Sequence, residues 1–394
     1  MAERPELIAF GQNKLGGLQS YYFNLLSNDP FNRFDKRWIL TDYVSDRDAK
    51  LMQPYNYCEE IFFSYGEEPV VEVSKKLNDL ISDRPGIVLT NFEVELNSLY
   101  YFRKKNKTIF FICHDQLYLV QAIKYEVIID VYIAHNYYFF EELKRKLPKK
   151  RINDIYYLPY GITPSPWVRN ENLNRSLKVL FLARLSKTKG IFDLPKIEDE
   201  LLTRNIKVTW TIIGDGPDKN ELVASLKSYP NFTFYNPATT EEVFKIASAH
   251  DIFVLPSYLD GMPVALLEAM SAGLVPIISR FNEGINAVVT PKNGFIVPVG
   301  DSKGFADKIE WLHNHRNEME QMSTHAHATI VNGYEVKKRA MDYYLLFDKY
   351  RSLKKPIRKG SLKYANRLDR PYIPKFVRDG LRWVKRVIEN RTAK

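Results

Sequence analysis

This 394-residue chain is poor in several features that would have assigned it quickly. It has two cysteines, Cys58 and Cys113, too few and too far apart for a zinc site or a disulfide framework, so a reducing cytoplasm is the expected compartment. Its longest apolar runs, such as residues 109–113, have the length of a strand and cannot span a bilayer. Residues 1–5 carry both acid and base, which does not read as a secretory leader. No acid or histidine constellation is read as a metal site, no Gly-x-Gly-x-x-Gly spacing proposes a dinucleotide, and no internal repeat or low-complexity tract stands out.

Basic charge is also missing from most of the chain. The last 44 residues hold 15 Lys+Arg against 3 Asp+Glu, leaving 42 against 44 for the first 350. The net charge of +10 therefore belongs to the tail, and the question of an acidic partner belongs there too.

Hydrophobic residues make up 45% of the chain, including 25 Tyr and 23 Phe, enough for the cores of two domains. Short apolar runs at 7–10, 37–41, 86–90, 108–113, 131–134 and 155–158 read as buried strands alternating with helical segments. A second series follows at 177–182, 207–213, 231–235, 252–255, 275–278 and 294–297. Such alternation predicts an α/β protein with parallel sheets covered on both faces. Residues 159–176, with Pro164, Pro166 and several Asn, are the linker candidate. Two Rossmann-like halves with a cleft between them are the simplest architecture.

The richest stretch is 257–273, SYLDGMPVALLEAMSAG. Asp260 and Glu268 bracket a Gly261-Met262-Pro263 turn and a run of good helix formers, with Pro263 suited to a first helical position. Eight residues apart, about two helical turns, the two acids could hold two ends of an elongated polar ligand, or serve only as dipole-complementing caps. Upstream, FGQNKLGG follows the first strand and precedes a helical stretch over 18–26; Gly16 and Gly17 would let the backbone approach a phosphate, or make an ordinary tight turn. Arg184 and Lys189 leave a strand end on a loop, within reach of a diphosphate or simply in solvent. Gly214-Asp215-Gly216-Pro217 ends another strand. His114 and Asp115 close the strand at 108–113, where open α/β sheets place ligand-binding groups. His135 and Asn136, after the next strand, are weaker candidates for an acceptor side.

Together these motifs resemble the retaining glycosyltransferases of GT-B fold, in particular glycosyltransferase family 4. The stretch from Asp260 to Glu268 is similar to the family's Glu-Gly-x-Pro-x-x-x-x-Glu signature, with Asp260 in place of the first Glu. Residues 182–190 resemble its Gly-Arg-Leu…Lys-Gly motif with Ala183 for Gly, and the Gly-Asp-Gly-Pro turn and the Gly-Gly loop look like their counterparts. The resemblance covers roughly residues 6–350. It implies two Rossmann-like domains facing across a cleft, an acceptor-side domain at 1–165 and a nucleotide-sugar domain at 166–334. A returning helix at 335–350 ties the halves together.

The implied activity is transfer of a sugar from a nucleoside diphosphate sugar with retention of configuration, with no cofactor and no metal. Arg184, Lys189 and the Gly16–Gly17 N–H groups would stabilise the leaving diphosphate. Asp260 and the N–H groups of Gly261 and Met262 would grip donor-sugar hydroxyls, with Pro263 and Gly214 shaping the site. Glu268 would accept from the ribose, Pro237 and Ala238 would line the base pocket, and His114 would act near the anomeric centre. A catalytically inactive scaffold or binding subunit, or a nucleotide-sugar epimerase, are the alternatives.

Residues 351–394 add something the resemblance does not supply. Over 375–390, Val377, Leu381, Val384 and Ile388 recur at helical spacing, Phe376, Trp383 and Val387 widen the stripe, and Arg378, Arg382, Lys385 and Arg386 surround it. A basic amphipathic helix of this kind could lie in an anionic membrane interface or pack on protein. A peripheral position on the inner face of the cell membrane, serving a lipid-linked glycan acceptor, is the expectation; no nucleic-acid motif is present.

Overall fold

The computed structural model describes residues 3–14, 16–44, 58–169, 176–237, 239–356, 358, 362, 376–377 and 380–381. It divides into two compact units, one of Met1–His135, Phe139–Leu158 and Ala340–Lys394, the other of Asn136–Tyr138 and Pro159–Arg339.

The first unit holds β1 (Glu6–Gln12), β2 (Asp35–Tyr43), β3 (Glu59–Tyr65), β4 (Gly86–Thr90), β5 (Lys107–Cys113), β6 (Val131–Ala134) and β7 (Ile155–Tyr157), in the order β3-β2-β1-β4-β5-β6-β7. The second holds β8 (Leu177–Leu182), β9 (Val208–Ile213), β10 (Phe232–Tyr235), β11 (Ile252–Leu255), β12 (Val275–Ser279) and β13 (Phe295–Val297), in the order β10-β9-β8-β11-β12-β13. Every pairing is parallel. The central strands are buried along their length, β4, β5 and β12 without exception, because helices cover both faces. That double burial makes them read as unbroken apolar runs. β3 is the strand the sequence reading lacked: as a sheet edge, it alternates exposed and half-buried residues and starts on two glutamates.

The helix expected over 335–350 is two, Val336–Phe347 and Tyr350–Leu353, with the unit boundary falling inside the first. Tyr343 and Phe347 of the first helix and Tyr350 of the second are buried in aromatic contact with Tyr21, Phe110 and Phe34, all in the first unit. The tail helix expected over 375–390 lies outside the described residues, apart from Phe376, Val377, Gly380 and Leu381, which are helical and exposed. No helix among the described residues is long and apolar enough to cross a membrane.

At the edge of the first sheet where the strands begin, one buried carboxylate gathers charges from several strands. Glu6 pairs with Lys107, both sealed from solvent, and accepts from Ser82 Oγ at 2.5 Å, with Arg37 at 3.2 Å and Arg84 at 3.5 Å. Burial pushes its carboxyl up, but the hydrogen bonds from Lys107 and Ser82 and the charges of Lys107 and Arg37 outweigh it and hold it below its usual value. A carboxyl depressed in the folded state stabilises the fold above about pH 4.5 and loses that contribution as pH falls through its lower native value. Glu6→Gln strands Lys107 in the core, and removing one partner of a buried pair costs about 3–5 kcal/mol. We expect a lower urea midpoint at pH 7 and a shallower loss of stability on acidification; unchanged unfolding curves would remove the hub from the stability of this unit.

Candidate functional site

Parallel strands all end at one edge, and a sheet whose strand order reverses leaves neighbouring loops diverging there. In the second unit the reversal lies between β8 and β11, so the segments following them, 183–190 and 256–263, emerge side by side. Backbone hydrogen bonds join them: Tyr258 N–H donates to Thr188 O at 2.8 Å, and Ser257 Oγ to the same carbonyl at 3.1 Å. The Gly-Asp-Gly-Pro turn after β9 closes on the other side, with Leu185 N–H donating to Asp215 O at 2.9 Å. Two glycines are required by these contacts. Gly190 has φ +70° and Gly214 φ +152°, and a Cβ on either would stand 1.9 Å from a backbone oxygen, of Pro256 and Ala183 respectively.

The two cations differ in state. Lys189 Nζ is ion-paired with Asp260, whose other carboxylate oxygen accepts from Gly261 N–H at 3.0 Å. Arg184 is exposed and makes no side-chain hydrogen bond or ion pair with any described residue. Asp260 does not cap the helix Val264–Ser271, which begins four residues later without a side-chain cap. Pro263 stands at the N-cap with ψ 119°, not at the first helical position. Of the eight-residue span between the two acids, therefore, only the second half is helical.

Glu268 sits in the second turn of that helix, half-buried, and its carboxylate accepts no hydrogen bond from any described residue. Burial alone pushes it up to about 7. Gly261, Met262 and Pro263, which follow Asp260, are buried. Pro237 lies two residues beyond β10, half-buried, and Ala238 lies outside the described residues.

The sequence reading missed Asn282, whose Nδ2 donates to the carbonyls of Asp260 and Gly261, both at 2.9 Å, while its Oδ1 accepts from Gly284 N–H at 2.8 Å. It pins the acid-bearing loop from the neighbouring strand, β12. Its signal was available: an Asn opening a short helix after a strand is an N-cap pattern.

In the first unit Gly16 is the N-cap of the helix Gly17–Ser27, in extended backbone, and Gly17 is its first residue. His114 follows β5 and is buried; burial, with His135 beside it, pushes its imidazole well below the ordinary range, so it is neutral at physiological pH. His114 and His135 rings lie 4.8 Å apart, and Tyr21 packs against both. Burial pushes His135 down to about 3, and its Nδ1 lies 2.9 Å from Leu158 O and 2.7 Å from Tyr343 Oη. Asp115 caps the helix Gln116–Lys124, accepting from Leu117 N–H at 2.7 Å. Asn136, which belongs to the second unit, is buried and accepts from Tyr138 N–H at 2.8 Å. Glu95, near the strand reversal of this sheet, was not anticipated: buried, pushed up to about 7 by that burial, it accepts from the Asn91 and Phe92 N–H groups at 3.0 and 2.6 Å.

Comparison with known proteins bears on this arrangement. Residues 167–329 match the family model described as glycosyl transferases group 1. The chain is 31% identical over 145 residues to the UDP-Gal:alpha-D-GlcNAc-diphosphoundecaprenol alpha-1,3-galactosyltransferase of Escherichia coli, covering 36% of each chain. It is 27% identical over 144 residues to the N,N'-diacetylbacillosaminyl-diphospho-undecaprenol alpha-1,3-N-acetylgalactosaminyltransferase of Campylobacter jejuni, covering 36% of this chain and 37% of that one. The matches thus span little more than a third of these relatives' own length. Among solved structures, sucrose-phosphate synthase from Thermosynechococcus elongatus superposes with a TM-score of 0.72 over 88% of this chain and 99% of that one, at 15% identity. At that identity the likeness speaks for the fold. The chain has the GT-B fold, and its residues 167–329 match the glycosyl transferases group 1 family.

Proposed function

We propose that the protein is a retaining glycosyltransferase that moves a sugar from a nucleoside diphosphate sugar to a lipid-linked glycan in surface polysaccharide synthesis. The observation that carries the reading is at the β8/β11 edge. There Lys189, on the loop that also bears Arg184, pairs with Asp260 on the neighbouring loop, and Glu268, with no hydrogen-bond donor among the described residues, lies on the helix that follows Asp260. The names of the two relatives, both acting on diphosphoundecaprenol-linked sugars, support the acceptor class.

In this reading the bond from the anomeric carbon to the diphosphate oxygen breaks, and a bond to the acceptor oxygen forms on the same face. The acceptor proton passes to the leaving phosphate. Arg184, with its planar fork, and Lys189 meet the charge that builds on the diphosphate, the task Mg²⁺ performs elsewhere. The Gly16 and Gly17 N–H groups are assigned to the same charge. Asp260 and the N–H groups of Gly261 and Met262 hold sugar hydroxyls, Glu268 accepts from the ribose, and Pro237 and Ala238 line the base. His114, kept neutral, can donate a hydrogen bond near the anomeric centre without adding charge. We place the enzyme at the inner face of the cell membrane, with the basic residues 351–394 toward anionic lipid.

The test is a thermal-shift panel of UDP-, GDP-, ADP-, CMP- and dTDP-sugars on the native chain and on Arg184→Ala, since a ligand that binds the folded state raises its apparent stability. We expect one donor class to give a clear shift that Arg184→Ala abolishes. No shift with any donor would favour a binding or scaffold subunit, and a donor converted without acceptor would favour an epimerase. Glu268 adds a pH signature. Ribose hydroxyls favour its ionised form, so affinity should rise about tenfold between pH 6 and 8 for a carboxyl near 7 that ionises on binding. Glu268→Gln should bind weakly and with a flat profile; a native affinity that does not change over this range would separate Glu268 from the nucleotide.

A further inference from the structure

The helix Gln116–Lys124 presents an unusual outer stripe. Leu119 and Ala122 are buried against the sheet, whereas Leu117, Val120 and Ile123, three residues apart, are 71%, 56% and 40% exposed. Helices connecting parallel strands in right-handed crossovers that advance in one direction share one face of the sheet. The connections from β4 to β5, β5 to β6 and β6 to β7 all advance that way, so the helices Glu93–Tyr101, Gln116–Lys124 and Tyr137–Lys146 line one face. Hydrogen bonds tie the segments that follow the second and third of these helices to their neighbours. Tyr125 Oη donates to Asn97 Oδ1 at 2.6 Å, and Arg151 Nη2 to Ile129 O at 2.6 Å.

The charge beside the stripe is one-sided. Residues 137–152 carry six Lys and Arg against two Glu. Both glutamates are consumed locally, Glu141 by Lys144 and Glu142 by Arg145 and Lys146. Glu93 is held by Lys124 and Glu126 by Arg151 and Arg358, while Asp115 caps its helix. Lys149 and Lys150 are exposed and have no ion-pair partner among the described residues, and beside them Ile152 is 42% exposed. The basic tail begins on the same ground: Lys355 pairs with Asp154 at 2.6 Å, and Arg358 donates to Ile129 O at 2.6 Å.

An apolar ridge flanked by cations whose neighbouring acids are already paired complements a surface that is apolar within and anionic outside. We infer that this face of the first unit, centred on Leu117, Val120 and Ile123 and flanked by Lys149 and Lys150, docks on an anionic lipid surface. The inference deepens the membrane part of the proposed function, placing the contact on the folded unit as well as the tail. It does not depend on the transfer reaction.

The experiment is co-sedimentation of the full chain with vesicles of phosphatidylcholine alone and with a quarter phosphatidylglycerol, across a salt series. Two variants accompany it, Leu117→Ser/Val120→Ser/Ile123→Ser and Lys149→Gln/Lys150→Gln, both leaving the tail intact. We expect binding to the anionic vesicles only, weakened about tenfold or more in the triple variant. The lysine variant should bind several-fold more weakly and with a flatter salt dependence. Native binding by the lysine variant, or by a triple variant that melts like the wild type, would overturn the inference, as would a wild type that ignores anionic vesicles. Donor thermal shifts on the same proteins keep the readings apart, because lost vesicle binding with an intact donor shift fails the docking face alone.

Discussion

Each unit depends on one constraint: in a parallel sheet all strands deliver their C-terminal ends to the same edge. Short-range order along the chain then becomes spatial order along that edge. The motif after β8 and the motif after β11 are some seventy residues apart, yet the strand reversal makes them neighbours. Lys189 and Asp260 are ion-paired because β8 and β11 are hydrogen-bonded partners. Gly190 and Gly214 follow from the same crowding, since the loops pass too close for a side chain.

Burial sorts the charged groups of this protein into two kinds. Glu6 and Lys107 are sealed and mutually satisfied, where strands begin. At the opposite ends of strands the balance is left incomplete. Among the described residues Arg184 has no side-chain partner and Glu268 sits half-buried without a donor. Fully satisfied ion pairs hold a fold, whereas groups carrying an unmet electrostatic demand are suited to a ligand. The proposed donor chemistry rests on that contrast. The lipid-facing inference rests on its surface counterpart, where Lys149 and Lys150 are left over after the acids around them are paired.

Much of this was legible in the amino-acid order. Doubly buried strands appear as apolar runs, so twelve of the thirteen strands among the described residues could be placed; the other, β3, is an edge strand whose pattern is diluted by exposed residues. Loops with glycine at strand ends announce themselves chemically, and the segments 183–190, 214–217 and 256–263 were singled out for that reason. The stop between Val336–Phe347 and Tyr350–Leu353 was not visible, because the run continues to look helical through Asp348 and Lys349.

By itself, then, the sequence determined local matters: which segments are strands, where the backbone needs glycine, which side chains stand at strand ends, and that the basic charge is confined to the tail. These depend on periodicity and residue type, which act over a few positions. Only the tertiary structure decided that Lys189 is neutralised by Asp260 while Arg184 is not, and that Asn282 braces the acid-bearing loop. The protonation of Glu268 and His114 was decided there too, as was the outward turn of Leu117, Val120 and Ile123. Pairing, solvation and exposure are properties of neighbours in space, set by strand order and crossover handedness rather than by position along the chain.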